Sequence, residues 1–222
     1  ARAAWVEGKR GDRGKAIAQM RGLVAEDPGF VLGWRQLAGW FDAAGRHREC
    51  LDAADHYVGI EPQNPVAYVY RGEAKRNLGD RRGAAADFAR AFEIDPAFEV
   101  SGLNLITEQL ATGDVAAAAR TLAKLREHAD GPVVKLRGVQ VACRQGDADA
   151  AVGQFHDLAG DPETGRGVLR EAVQAFDAEG WGARLTSELK DEAFAENANP
   201  ALAGLWAERA AAAGSLDAVA DR

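Results

Sequence analysis

Residues 79–96 read GDRRGAAADFARAFEIDP. Gly79 can adopt the left-handed backbone conformation that ends a helix, and Asp80 is a preferred N-cap for the helix that follows. Pro96 disfavours helix at the residue before it, so the helix that begins after Asp80 closes at this point. The stretch therefore predicts a turn followed by one helix over residues 81–94.

The same two markers recur along the whole chain with a period of 34 residues. Turn glycines are 34 residues apart, except for one interval of 33, at Gly11, Gly45, Gly79, Gly113, Gly146, Gly180 and Gly214. Acidic residues followed by proline share this period in the first three of their four occurrences, Asp27-Pro28, Glu61-Pro62, Asp95-Pro96 and Asp161-Pro162. Each unit is therefore predicted to be a hairpin of a helix A and a helix B.

The apolar residues between the markers follow helical spacing, for example in the run that begins at Trp34. Small residues such as Ala38 alternate with large ones such as Phe88, as expected where helices pack closely. We predict helices over residues 2–10, 13–26, 31–44, 47–60, 64–78, 81–94, 98–112, 115–129, 132–145, 148–159, 163–179, 183–195, 200–213 and 216–221.

These residues also carry a family resemblance. The elements that resemble the tetratricopeptide repeat signature are Trp34-x2-Leu37-Ala38-x2-Phe41, Ala84-x3-Phe88 and the closing Pro62 and Pro96. The resemblance implies an all-α fold, a right-handed superhelical solenoid of stacked antiparallel helix hairpins with about seven units. It covers nearly the whole chain, which is expected to be a single repeat domain over residues 1–222. The predicted units are 1–30 (partial), 31–64, 65–98, 99–131, 132–165, 166–199 and 200–222 (partial).

The chain begins at Ala1 inside a predicted helix and has no initiator methionine. We expect it to be a piece of a longer protein, in which flanking repeats cover the apolar residues near both ends, including Trp5 and Val219.

Composition argues against several classes of partner. A net charge of −7 disfavours nucleic acid, and no apolar run approaches the roughly 20 residues that cross a bilayer. The expected partner is another protein or peptide, without nucleic acid or membrane insertion.

The two cysteines, Cys50 and Cys143, lie far apart at helical positions suited to a small side chain, so we expect buried thiols.

No arrangement of residues in the sequence indicates a reaction centre. The chain has no glycine-rich phosphate loop followed by Lys-Ser or Lys-Thr, no Gly-x-Ser-x-Gly and no His-Glu-x-x-His. His47, Cys50 and His56 come closest to a metal site, but their spacing does not place all three on one helix face. We therefore predict no catalytic residue, no cofactor and no metal in this fragment.

The family resemblance implies that the A helices line a concave groove in which partner peptides lie. Helix geometry then selects the residues opposite the packed stripe, at the second, fifth, ninth, twelfth and thirteenth positions of each unit. The predicted partner-binding residues are Arg35, Val69, Glu73, Arg76, Asn77, Leu103, Thr107, Gln140, Arg144, Arg170 and Gln174. Among them, Arg76 and Arg144 are expected to bind an acidic partner.

Three functions are compatible with these predictions. The first is a scaffold that binds a partner peptide or protein in the groove. The second is a substrate-positioning or regulatory solenoid arm of a larger multidomain enzyme, whose catalytic domain would lie in the flanking sequence. The third is an oligomerisation module, in which incomplete terminal hairpins pair between copies of the chain.

Overall fold

A computed structural model of the chain describes residues 13–193 and 199–212. Within these ranges the chain forms twelve α-helices and no β-strand. The helices are α1 (Arg13–Glu26), α2 (Val31–Ala43), α3 (His47–Ile60), α4 (Pro65–Asn77), α5 (Arg81–Ile94), α6 (Glu99–Ala111), α7 (Val115–Leu125), α8 (Pro132–Gln145), α9 (Ala148–Ala159), α10 (Arg166–Ala178), α11 (Gly182–Ala193) and α12 (Pro200–Ala212). None of these helices is long and apolar enough to cross a bilayer. The helices predicted over 2–10 and 216–221 lie outside the described residues, as do Trp5 and Val219.

The chain divides after Thr112 into two compact units. In the first unit, α2 packs on α3 and α4 packs on α5, with α1 before and α6 after these two hairpins. In the second unit, α8 packs on α9 and α10 packs on α11, with α7 before and α12 after them. The predicted all-α repeat of helix hairpins is confirmed within each unit. The unit boundary falls inside the predicted repeat 99–131, and the single domain over 1–222 stays a prediction.

A glycine with left-handed backbone ends helix A at every described turn between the two helices of a repeat. The φ angles are +67°, +91°, +81°, +77° and +76° at Gly45, Gly79, Gly113, Gly146 and Gly180. Residues with a Cβ rarely adopt such angles, so glycine is required by conformation at these positions. The predicted role of the turn glycines is confirmed, while Gly11 and Gly214 lie outside the described residues.

The acidic residues beside the turn markers close hydrogen bonds at helix ends. Asp80, Asp114 and Asp147 each accept the backbone N–H three residues on, at 2.9–3.0 Å, and so cap the B helices, as predicted for Asp80. The carboxylates of Asp27, Asp95 and Asp161 each accept the N–H two residues on, also at 2.9–3.0 Å. These latter hydrogen bonds close turns in which the side-chain oxygen takes the place of a backbone carbonyl. The acid before proline therefore helps to end helix B.

Each unit has an apolar core where its A and B helices meet. In the first unit, Leu37 and Phe41 of α2 pack with Met20 of α1. In the second unit, the rings of Phe155 and Phe176 meet edge to face with centroids 6.0 Å apart. These contacts account for the apolar stripes on which the prediction of helix pairs depended.

Both cysteines are buried and unpaired, as predicted. Burial raises the pKa of the Cys50 and Cys143 thiols to about 12 in each case. Both thiols are therefore protonated at neutral pH and serve as small apolar core residues.

Helix α4 places charge at two positions where the preceding repeat is apolar. Arg71 and Lys75 stand 34 residues after Leu37 and Phe41. Both meet the buried carboxylate of Asp87 on α5: Arg71 donates through Nε at 3.0 Å and Nη2 at 2.6 Å, and Lys75 Nζ lies 2.8 Å away. The hydrogen bonds that Arg71 donates to Asp87 raise the pKa of Arg71. One buried acid thus joins two cations across the α4–α5 hairpin.

Replacing Gly79 by valine should destabilise the chain by about 1–2 kcal/mol, because a β-branched residue resists positive φ. Gly59, near the end of α3, is the matched control, since it has no positive φ and a Cβ has open space at either glycine. Gly59→Val should be neutral or slightly stabilising, because valine has the higher helix propensity. Urea unfolding followed by circular dichroism measures both. A loss below about 0.5 kcal/mol for Gly79→Val would contradict the assigned turn.

Replacing Asp87 by asparagine should cost about 2–4 kcal/mol in the free energy of unfolding, because Arg71 and Lys75 then lose their buried counter-charge. Asp55→Asn is the control, since Asp55 is an exposed partner of Arg71 at 3.3 Å and should contribute less than about 1 kcal/mol. Equal losses in the two variants would show that burial does not distinguish these carboxylates.

Candidate functional site

In the first unit, helix α4 packs between α2 and α6, so three A helices are neighbours. We define the A-helix face as the side of these helices opposite the stripe that packs on the B helices. Its residues are Leu32, Arg35, Gly39 and Asp42 on α2, Val66, Val69, Glu73, Arg76 and Asn77 on α4, and Val100, Leu103, Thr107 and Leu110 on α6.

The predicted binding residues of the first unit differ in exposure. Arg35 and Asn77 are exposed, and Val69 is buried. The remaining four are half-buried: Glu73, Arg76, Leu103 and Thr107. Val69 is therefore too buried to contact a partner. The exposed or half-buried side chains remain as candidates for such contact.

Arg76 is engaged inside the first unit. Its Nη1 donates to Asn104 Oδ1 at 2.8 Å and lies 3.9 Å from Oε1 of the buried Glu108. Its guanidinium also lies over the Phe88 ring, 5.6 Å from the centroid. Glu108 meets a second cation, Arg81, at 3.2 Å. Arg76 thus links α4 to α6, and replacing it would disturb this packing as well as any contact with a partner.

Near the end of α2 and in the middle of α4 lie two acidic side chains, Asp42 and Glu73, each three residues after one member of the close pair Gly39 and Tyr70. Burial raises the pKa of Glu73, and the nearby negative charge of Asp42 raises it further, while Arg76 opposes the shift. Burial likewise raises the pKa of Tyr70, with Glu73 and Asp42 adding to the effect and Arg35 opposing it. These groups therefore share one local environment on the A-helix face.

The predicted binding residues of the second unit lie on α8 and α10. Arg144, Arg170 and Gln174 are exposed, and Gln140 is half-buried. Arg170 Nη2 donates to Glu208 Oε2 of α12 at 3.2 Å, and Gln140 Oε1 accepts from Arg137 Nη1 at 2.7 Å. Arg144 and Gln174 are therefore the more accessible predicted residues of this unit.

Sequence reasoning missed the internal partners of these residues. Asn104 and Glu108 on α6, and Glu208 on α12, bind predicted contact residues and reduce their freedom to bind a partner. Such pairs lie 28 to 38 residues apart in sequence, so helical spacing within one element does not reveal them. The 34-residue period could have indicated these partners, because it places equivalent residues of successive A helices side by side.

His47, Cys50 and His56, which come closest to a metal site in sequence, do not form one in the structure. His56 stacks on Trp34, with ring centroids 4.1 Å apart, while Cys50 is buried. Across residues 13–193 and 199–212, no group of three or more His, Cys, Asp or Glu side chains is arranged to hold a metal ion.

Comparison with known proteins gives matches in structure but not in sequence. No protein-family model matches the chain, and no curated protein matches it. A tetratricopeptide repeat protein from Parabacteroides merdae is similar with a TM-score of 0.74 and 14% identity, over 97% of this chain and 86% of that one. MamA is similar with a TM-score of 0.64 and 15% identity, over 80% of this chain and 96% of that one. YrrB, a tetratricopeptide repeat protein, is similar with a TM-score of 0.60 and 13% identity, over 84% of this chain and 96% of that one.

At these identities the likeness concerns the fold, which agrees with the helix hairpins, turn glycines and acidic caps described above. The chain is an all-α helical repeat protein with the tetratricopeptide repeat fold.

Proposed function

We propose that the chain is an interaction scaffold that binds a segment of another protein along the A-helix face of its first unit. Other proteins with this fold support the proposal. YrrB has a peptide-binding site, and Cut9 forms a hetero-tetramer with Hcn1. Because the likeness to them is one of fold, the specific support has to come from the residues of this chain.

The observation that carries the proposal is a repeated exposed apolar position. Among the described residues, the exposed large apolar side chains are Leu32, Ile60, Leu78, Val100 and Val133. Leu32, Val100 and Val133 each occupy the second position of an A helix, with exposures of 63%, 43% and 38%. Exposed apolar side chains that recur at one repeat position are typical of an interaction surface.

In the first unit this position forms a row across three neighbouring helices. Leu32 lies on α2, the half-buried Val66 on α4 and Val100 on α6. A partner segment that crosses the A helices would meet one apolar side chain per helix, with polar groups of the same face on one side of the row. This pattern suits an amphipathic helix or an extended peptide.

The test is selection of phage-displayed random peptides on the whole chain, followed by fluorescence anisotropy with the recovered peptides. Replacing Leu32 and Val100 together by alanine should weaken binding at least about tenfold, because two apolar contacts are lost. Both side chains are exposed, so the free energy of unfolding should change by less than about 1 kcal/mol.

The matched control replaces Ile60 and Leu78 by alanine. These side chains are also large, apolar and exposed, but they lie at helix ends outside the A-helix face. They should leave peptide affinity unchanged. Equal weakening by the two pairs of substitutions, or recovery of no binding peptide, would refute the proposed face.

A further inference from the structure

We propose that the segment bound by the A-helix face carries a lysine or arginine whose cationic group lies between Asp42 and Glu73. This inference rests on the proposed function and names the chemistry of the partner. It follows from three features of the face: which charges are already paired, where hydrogen-bond acceptors are left, and where apolar side chains flank them.

The buried carboxylates of the first unit, Asp87 and Glu108, form ion pairs, although Glu108 Oε1 accepts no hydrogen bond. Asp87 meets Arg71 and Lys75, and Glu108 meets Arg81 at 3.2 Å with Arg76 nearby. By contrast, the half-buried side chains of Asp42 and Glu73 form no ion pair and accept no hydrogen bond within the described residues. The face therefore carries two carboxylates without an ion-pair partner, beside Arg35, an exposed cation that likewise forms no ion pair within the described residues.

This pair of acids is unfavourable in the free protein. Glu73 is removed from water beside the like charge of Asp42, and its pKa is raised by burial and by that charge. Asp42 lies in the last turn of α2, where the partial negative charge of the helix C-terminus repels a carboxylate. An incoming cation would relieve both effects, whereas a partner carboxylate would add to them.

Arg76 and Arg35, the cations of this face in the first unit, form no ion pair with Asp42 or Glu73 within the described residues. Arg76 donates to Asn104 on α6, and it contributes only a partial opposing effect at Glu73. Arg35, two turns before Asp42 on α2, is exposed, and its charge opposes the rise that burial causes in the pKa of Tyr57 and Tyr70. Cys50, from α3, is a buried thiol and brings no charge at neutral pH.

Gly39, one turn before Asp42, leaves space on the A-helix face because it has no side chain. A Cβ at this position would lie 3.1 Å from Tyr70 Oη, so the absence of a side chain leaves room for the hydroxyl. No hydrogen bond to this hydroxyl occurs within the described residues. Two carboxylates and a hydroxyl oxygen are acceptors, which match the donor-only head of lysine or arginine. Leu32 and Val100 then offer apolar contact to residues that flank the basic one.

The experiment uses the peptides selected on the whole chain. We expect lysine or arginine to be enriched at one position that aligns with flanking apolar residues. For the tightest such peptide, Asp42→Asn with Glu73→Gln should weaken binding about tenfold or more, and replacing the basic residue of the peptide by glutamine should give a similar, non-additive loss. Glu93→Gln, which removes an exposed acid of the B helix α5, is the control and should leave affinity unchanged.

Thermal unfolding separates a binding role from a structural one. Glu73→Gln removes a desolvated charge next to Asp42, so its Tm should be unchanged or higher while binding weakens. A lower Tm would assign the pair a structural role and overturn the inference. Peptides that need Leu32 and Val100 but are neutral or acidic would also overturn it, while leaving the scaffold function intact. Peptides that bind regardless of Leu32 and Val100, or no binding peptide at all, would refute both proposals.

Discussion

The positive φ at the turn glycines is the constraint on which the hairpins depend. After α4, Gly79 N–H donates to Arg76 O at 3.0 Å and Asp80 N–H donates to Lys75 O at 2.9 Å, so the last carbonyls of the helix are satisfied. Asp80 then accepts the N–H of Gly83 at 2.9 Å and begins the next helix. One helix ends and its partner starts within a few residues, which brings their apolar faces together.

These turns fix which side chains face each other, and the chemistry of each hairpin then follows from the residues at those positions. Leu37 and Phe41 of α2 join an apolar core, whereas Arg71 and Lys75 one repeat later surround the buried Asp87. The same backbone therefore accommodates apolar packing in one hairpin and a charged cluster in the next. The charged version is sensitive to loss of one partner, since each remaining ion would be left partly buried without its counter-charge.

Much of the fold could be predicted from sequence because its determinants are local. Caps such as Asp114 and turn glycines such as Gly146 act on their own neighbours, and their spacing gives the helix bounds to within a few residues. The prediction was less accurate for α7, which ends at Leu125 rather than at residue 129; Arg126 beyond it hydrogen-bonds Gln154 of α9. The binding face was harder to predict, because exposure is decided by partners on other helices.

The charge of the A-helix face shows why a binding face is harder to predict from sequence than a helix. Lysine and arginine outnumber acids in residues 1–48, and Arg76 suggested an acidic partner by sequence alone. In the folded chain, however, Arg76 donates to Asn104 on α6, while Asp42 and Glu73 form no ion pair and accept no hydrogen bond among the described residues. The potential that a partner meets depends on the charges left unpaired after folding, rather than on the net charge of a segment. Because Arg76 joins α4 to α6, the proposed role of the face falls to the carboxylates of Asp42 and Glu73, which a basic partner would neutralise.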